Sequence, residues 1–386
     1  MRIFVHIRDG SMDRKLDAPR GLSRRSLLIG TACMATAFTS GALAETPKMA
    51  EFFKTKDELD ASLKSFGVGP LDRVTLLHLA RPTTMLITKA SADSEIPVGA
   101  SKIGGAPDLP EALAWPMRQP SASGKRDVEV LRKLDAEKPS DYYKKEIAEK
   151  EPLANREAPL AFMLQVDFAA AAAAGPLDPD LPTSGRLLVF YDLVMLPWFG
   201  EQEKEKSLAL IYLDDPQVEL KRRPIPDLGM PTWGERREGE SDEEAMRLPP
   251  ARIEPRFSYT LPGSGTYPMM TRFAYPQEPP HNAWLEARTA SPGAGCQLLG
   301  WPDLVQYDPA IDLGAADIHY DLPHNDSFIP TIRGLAGPIE NWIPLLSITG
   351  YDTDAVDFNG GYYIMIRRTD LKKRDFSKAV IVYQTD

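Results

Sequence analysis

The densest grouping of side chains able to do chemistry is the stretch DIHYDLPHND, residues 317–326. His319, Asp321, His324 and Asp326 place two imidazoles and two carboxylates within eight positions, all of them donor types for zinc or a harder divalent ion. Pro323 forces a turn between the histidines, which lets several side chains converge. The spacing H-x-D-x-x-H-x-D matches no strong site signature, so a solvated polar loop is the competing reading. As an active site the cluster would imply metal-dependent hydrolysis with a bound divalent ion. Without it, no cofactor is implied.

Nucleophile signals are thin. Ser264 lies in LPGSGTYP, which lacks the G-x-S-x-G frame of a nucleophile elbow and reads as a turn. Cys296, in GAGCQLLG, precedes an apolar run and reads as a small core residue. Gly293, Gly295 and Gly300 fail the dinucleotide fingerprint, because no strand precedes them and no helix follows. Trp115, Trp198, Trp284 and Trp301 are the side chains that would line a glycan- or peptide-binding cleft, with core anchoring as the commoner use of tryptophan.

The elements that would position these residues are short. The chain has 386 residues and 35 prolines, well above the usual ~5 % of proline, which favours many short elements and ordered loops. Residues 49–66 read as an amphipathic helix with Leu59, Leu63 and Phe66 on one face, stopped by Gly67. TMLITKA, residues 84–90, is the first strand. Two similar sets of strand signals follow: LAFMLQVDF, GRLLVFYD and ALIYLDD, then IPLLSITGYD, GGYYIMIRR and KAVIVYQTD. Their likeness suggests a degenerate internal duplication. The expected fold is therefore α+β and β-dominated, with mostly antiparallel sheets in two related lobes, an N-terminal helix and a charged helical insertion. That insertion is residues 119–158. Residues 224–256, rich in Pro, Gly and charge, read as an exposed loop.

The N-terminus has the tripartite form of an export signal: a basic stretch, an apolar run from Leu27 to Phe38, and Ala42-Leu43-Ala44 before Glu45. Ser23, Arg24, Arg25, Leu27 and Leu28 resemble the twin-arginine pattern. Cleavage after Ala44 would leave residues 45–386 as one domain in the periplasm or another extracytoplasmic compartment. The apolar run is too short for the ~20 residues of a spanning helix, so no stable membrane insertion is expected; a lipid anchor on Cys33 is the rival. The net charge is −10, and because residues 1–44 carry seven basic and three acidic side chains, the remainder stands at −14. Such a body repels phosphate backbones, which excludes nucleic acid as an expected partner.

SKIGGAPDLPEALAWP (101–116), PLAFMLQVDF (159–168), GRLLVFYD (185–192), QLLGWPDLVQ (297–306) and DFNGGYYIMIRRTDLKKRDFSKAVIVYQ (357–384) occur in an order that resembles the YwqG-like family, bacterial proteins grouped as a domain of unknown function. The similarity spans roughly residues 50–386, with 119–158 and 224–256 as additions. Phe358 and Asn359 stand where that family tends to have a Trp and an acid, and Ser347 where a second Gln would echo Gln165. The resemblance implies that a binding site, if one is shared, involves Gly104, Gly105, Trp115, Gln165, Asp167, Gly300 and Gln306. Read physically, the two glycines permit positive φ, the prolines hold an extended loop and Trp115 pins it to the core. The expected function is a non-catalytic, exported module that binds a protein or small ligand; the alternative is an extracytoplasmic hydrolase built on the His319 cluster.

Overall fold

The computed structural model describes residues 50, 52–226, 248–272, 279–289, 296–323, 327–349 and 360–385. Its first helix is α1 (Lys56–Ser65), later than the periodicity suggested, because Thr55 and Glu58 form a capping box that fixes the start. The residues before it run extended instead: Phe53 donates its N–H to Ser258 Oγ at 3.0 Å and accepts one from Tyr259 at 2.8 Å. A second helix, α2 (Pro70–Leu79), starts on a proline at its first turn and leads directly into β1 (Arg81–Ala90).

Strands β2 (Lys102–Ile103), β6 (Ala161–Asp167), β7 (Arg186–Tyr191), β8 (Leu208–Leu213), β10 (Ala251–Thr260), β11 (Gln297–Leu298), β12 (Trp342–Thr349), β13 (Gly361–Arg367) and β14 (Val380–Gln384) join β1 in one ten-stranded sheet of order β14-β13-β12-β11-β1-β10-β2-β6-β7-β8. Every pairing in it is antiparallel. The remaining short strands pair off separately, β3 (Asp108–Leu109) with β9 (Lys221–Arg222) and β4 (Met117–Arg118) with β5 (Ala158–Pro159).

All six strands expected from the two sets are present, but as the wings of one continuous sheet rather than as separate sheets. The reason is the central pair: β1 and β10 match along ten residues, from Arg81 opposite Thr260 to Ala90 opposite Ala251. The segment assigned to an exposed loop, 224–256, thus ends in a central strand. Pro255 and the charges of Arg252, Glu254 and Arg256 hid it, yet Ala251 and Ile253 point into the core. Residues 227–247 of that loop lie outside the described residues.

The wings are built alike around their first bends. Ile103 of β2 pairs with Ala251 of β10, and Leu298 of β11 pairs with Thr84 of β1. Each two-residue strand then ends in two residues with positive φ, Gly104 and Gly105 on one side (63° and 65°), Leu299 and Gly300 on the other (57° and 77°). The neighbouring strands carry matching register shifts, between Phe162 and Leu164 in β6 and between Pro344 and Leu346 in β12.

Burial explains the unbroken apolar runs. Along β7, Leu187, Val189 and Tyr191 enter the main core while Leu188 and Phe190 enter a second cluster under Trp115. Along β13, Tyr362, Ile364 and Ile366 face the main core, and Tyr363 and Met365 face a cluster under the helices that follow β11. The wings meet across the main core, where Tyr191 packs edge-on to Tyr362 at 6.3 Å. The charged segment forms a hairpin of α3 (Ala122–Glu137) and α4 (Asp141–Ala154). Its base is anchored by a buried ion pair, Arg118 to Asp192 at 2.7 Å, with further bonds from Arg118 to the carbonyls of Leu153 and Arg156. Among the described residues no helix is long and apolar enough to cross a membrane.

Candidate functional site

The residues at 101–116 make a buttress. Gly104 has no room for a side chain, since a Cβ would sit 2.4 Å from the carbonyl oxygens of Leu248 and Pro249. Beneath the bend, the fully buried Lys102 bonds to Asp93 at 2.8 Å and to the Ala106 carbonyl. Asp108 pairs with Arg222 at 2.9 Å and accepts from the Gly99 N–H and from Gln165 Nε2. Burial works against the Asp108 charge, yet Arg222, Gly99, Lys102 and Gln165 outweigh it and hold the carboxyl below its ordinary range. These charges satisfy one another and fill the space under the turn.

The other expected positions are also built into the frame. Gln165 ties the turn to β6, bonding the Ala100 carbonyl and the Asp108 N–H. Asp167 caps α5 (Phe168–Ala174), and Trp115 donates to the Leu160 carbonyl and packs edge-on to Phe190. Gln306 links its loop to the C-terminal strand through Gln384 and Thr385.

His319 and Asp321 are exposed, while His324 and Asp326 lie outside the described residues. His319 has φ 55° and follows α9 (Pro309–Asp317); its N–H and that of Tyr320 bond back to Ala316 and Ala315, closing the helix in a Schellman turn. Among the described residues no three metal-binding side chains converge. Ser264 sits exposed in its turn and Cys296 is buried in the core.

The second bend, 299–309, leads to a cavity of about 310 Å³ between the end of α2, the start of β1, and the helices α7 (Tyr267–Arg272), α9 and α11 (Ala336–Asn341). Gly300 is what allows it. A Cβ there would fall 1.5 Å from Thr83 Oγ1, so only glycine brings the chain this close to β1 and swings Trp301 over its first residue. The indole is then fixed, its Nε1 donating to the Leu79 carbonyl at 2.7 Å and its backbone N–H to Thr260 Oγ1 at 2.8 Å. Upon it lies the Arg81 guanidinium, with Cζ 3.4 Å from the ring centre.

Asp308 forms part of the wall. One oxygen accepts from the Ala310 N–H at 3.0 Å, capping α9, and the other from the Tyr267 N–H at 3.1 Å, at the start of α7. Burial pushes its carboxyl above the ordinary value, against the pull of those two N–H groups and of Arg81. Burial likewise lowers Arg81 to about 10, opposed chiefly by Asp308, so the guanidinium stays charged at neutral pH. Trp342, Ile339, Leu304, Met365 and four prolines supply apolar wall, and His78 and Glu340 polar wall.

Arg81 stands apart electrostatically. Lys102, Arg118, Arg222 and Arg368 each have a carboxylate within 2.7–2.9 Å, whereas among the described residues none pairs with Arg81. Arg81 is one of the residues that line the cavity.

Of the residues lining this cavity, the sequence drew attention only to Trp301. Asp308-Pro309 carries a helix-start signal, and Arg81 a lone cation just ahead of an apolar strand, but nothing local links them.

A β-rich α+β architecture with an arginine-bearing pocket describes the class of protein. Residues 101–385 match the family described as Domain of unknown function (DUF1963), and the chain belongs to that family. No curated protein matches the chain in sequence. Arg81 and β1 precede the matched segment, yet they complete both its sheet and its pocket.

Proposed function

We propose that this chain is an exported, YwqG-like member of the family, a non-catalytic binding module that holds a small organic ligand in the Arg81 pocket. One observation carries the reading: a concave cavity that joins two buried indoles to a guanidinium without a carboxylate partner among the described residues. Small-ligand sites characteristically combine apolar walls with a few placed polar groups, in volumes of roughly 300–1,000 Å³. Retention rather than conversion fits Asp308, because both of its oxygens already serve backbone N–H groups. Export rests on the twin-arginine pattern at Ser23 to Leu28 and on Ala42 to Ala44, which direct the mature domain to the periplasm.

A duplicated origin makes the pocket intelligible. The matched bends, the matched register shifts and the reciprocal pairing of β1 with β11 and of β10 with β2 support two copies of one unit that exchange their first strands. IGGAPDL at 103–109 and LLGWPDL at 298–304 add a trace of it in sequence. In the first copy Lys102, Asp108 and Arg222 pack under the bend, and beside the second bend lies the cavity.

To test the reading, the mature protein and a Leu304→Trp variant, whose ring occupies the cavity, are incubated with the low-molecular-weight fraction of a periplasmic extract. Retained compounds are identified by mass spectrometry after gel filtration. A compound held by the wild type and lost by the variant is expected. Identical retention by both, or none by either, refutes the pocket as the site. For export, an Arg24→Lys, Arg25→Lys double variant is expected to stay in the cytoplasmic fraction, and its arrival in the periplasm would refute the twin-arginine reading.

A further inference from the structure

We propose that the ligand is a monoanionic carboxylic acid with an apolar body, and that Arg81 is the residue that selects its carboxylate; this rests on the pocket being a binding site. The fold does not require a cation at this position. Arg81 lies three residues before Thr84, which pairs with Leu298, and the matching place three residues before Ala251, which pairs with Ile103, holds the buried Leu248. An aliphatic side chain therefore serves one bend, while the other carries a guanidinium, unpaired among the described residues, in a largely enclosed setting. Leaving a charge there without a partner is unfavourable, and a bound anion removes that penalty.

The type of anion follows from shape and charge. A guanidinium held against Trp301 offers its N–H groups in a planar fork that matches a carboxylate. A dianion such as a phosphate ester would meet one cation and also face Asp308 and Glu340, which line the same cavity. A single negative charge balances Arg81 without that repulsion. Beyond the fork the apolar walls are Trp301, Trp342, Ile339 and Met365, which suit an aryl or alkyl chain.

The probes are 3-phenylpropanoate, its neutral amide 3-phenylpropanamide, and phenyl phosphate, titrated calorimetrically into the full mature protein and into Arg81→Met and Arg81→Lys. Wild type is expected to bind the acid about ten- to a hundredfold more tightly than the amide, the range of a charged hydrogen bond, and more tightly than the phosphate. Arg81→Met is expected to lose that preference while still binding the amide. Arg81→Lys, which keeps the charge without the fork, should fall between. Equal binding of acid and amide to wild type overturns the carboxylate assignment but leaves the pocket as a site, as does an undiminished preference in Arg81→Met. Tighter binding of phenyl phosphate overturns the monoanion. If no probe binds wild type, the assignment fails, and the broader reading then stands or falls on the Leu304→Trp comparison. Thermal melting of each variant confirms that it is folded, and because Arg81 makes no ion pair among the described residues its replacement is expected to leave the midpoint within a few degrees of wild type.

Discussion

His281 should make this protein acid-sensitive, and its surroundings set the size of the effect. It lies on α8 (Pro279–Thr289), one turn before Trp284, which packs with Phe53, Leu59 and Leu63 under the N-terminal helices. Its side chain is buried and its Nε2 has no hydrogen-bond partner among the described residues, so protonation would place a cation in an apolar setting. Burial accordingly lowers its pKa from 6.5 to about 4, against an opposing pull from Asp72. In the unfolded chain the ring titrates at its ordinary value, so between pH 6.5 and 4 the unfolded state binds the extra proton and the native state does not. Stability is then complete above about pH 6.5, falls as the pH drops, and levels off below about 4, for a total loss of about 3 kcal/mol. Between pH 7 and pH 5 the expected loss from this one group is about 2 kcal/mol. The assay is urea unfolding of wild type and His281→Leu at pH 7, 6 and 5. The variant should lose less stability than wild type over that range, by about 2 kcal/mol. Parallel pH dependences in the two proteins would refute the assignment of the titration to His281.

Two further outcomes follow from the packing. Arg118→Ala strips the buried Asp192 of the cation beside it and frees the carbonyls of Leu153 and Arg156 at the base of the helical hairpin; denaturant titration should show a loss of about 3–5 kcal/mol, partly restored in Arg118→Met, Asp192→Leu. No restoration would mean that the charge pair is not what anchors the hairpin. Gly300→Ala must displace Thr83 and hold a positive φ, and is expected to lower stability by more than about 2 kcal/mol, whereas Gly337→Ala, on α11 with nothing within 4 Å, should be neutral or raise it by up to about 1 kcal/mol. A tolerated Gly300→Ala would contradict the close approach of the second bend to β1.

The long strands were legible because burial on both faces turns a strand into a continuous apolar run, as in LLVFY of β7 and YYIMI of β13. The two-residue strands were not, since two residues carry no periodicity; β2 and β11 exist because the long strands beside them supply partners. In β10 a proline and alternating charges masked a central strand. Helix α2 was overlooked because Leu71 and Val74 face solvent and blur its apolar stripe. The bend at Gly104 was readable as backbone control, though its purpose, closing a turn over a charged network, needed Asp93 and Arg222 from elsewhere in the chain. The pocket was least legible of all. Arg81, Trp301, Asp308 and Trp342 meet only through the register of β1 with β11 and of β11 with β12.

The pairing of β1 with β10 also bears on the order of events during folding. Each residue of β1 waits for a partner about 160–180 positions further along the chain, and its other neighbour, β11, comes later still. Loop closure over such distances is slow, and until it happens the middle of the sheet has two open edges. A ribosome-bound chain that has emerged only as far as β8 contains a complete wing, β6-β7-β8, with β1 still unpaired. The molecule therefore acquires its centre only after synthesis of β10 and β11, so truncation between β8 and β10 should leave β1 as an exposed, apolar strand prone to self-association.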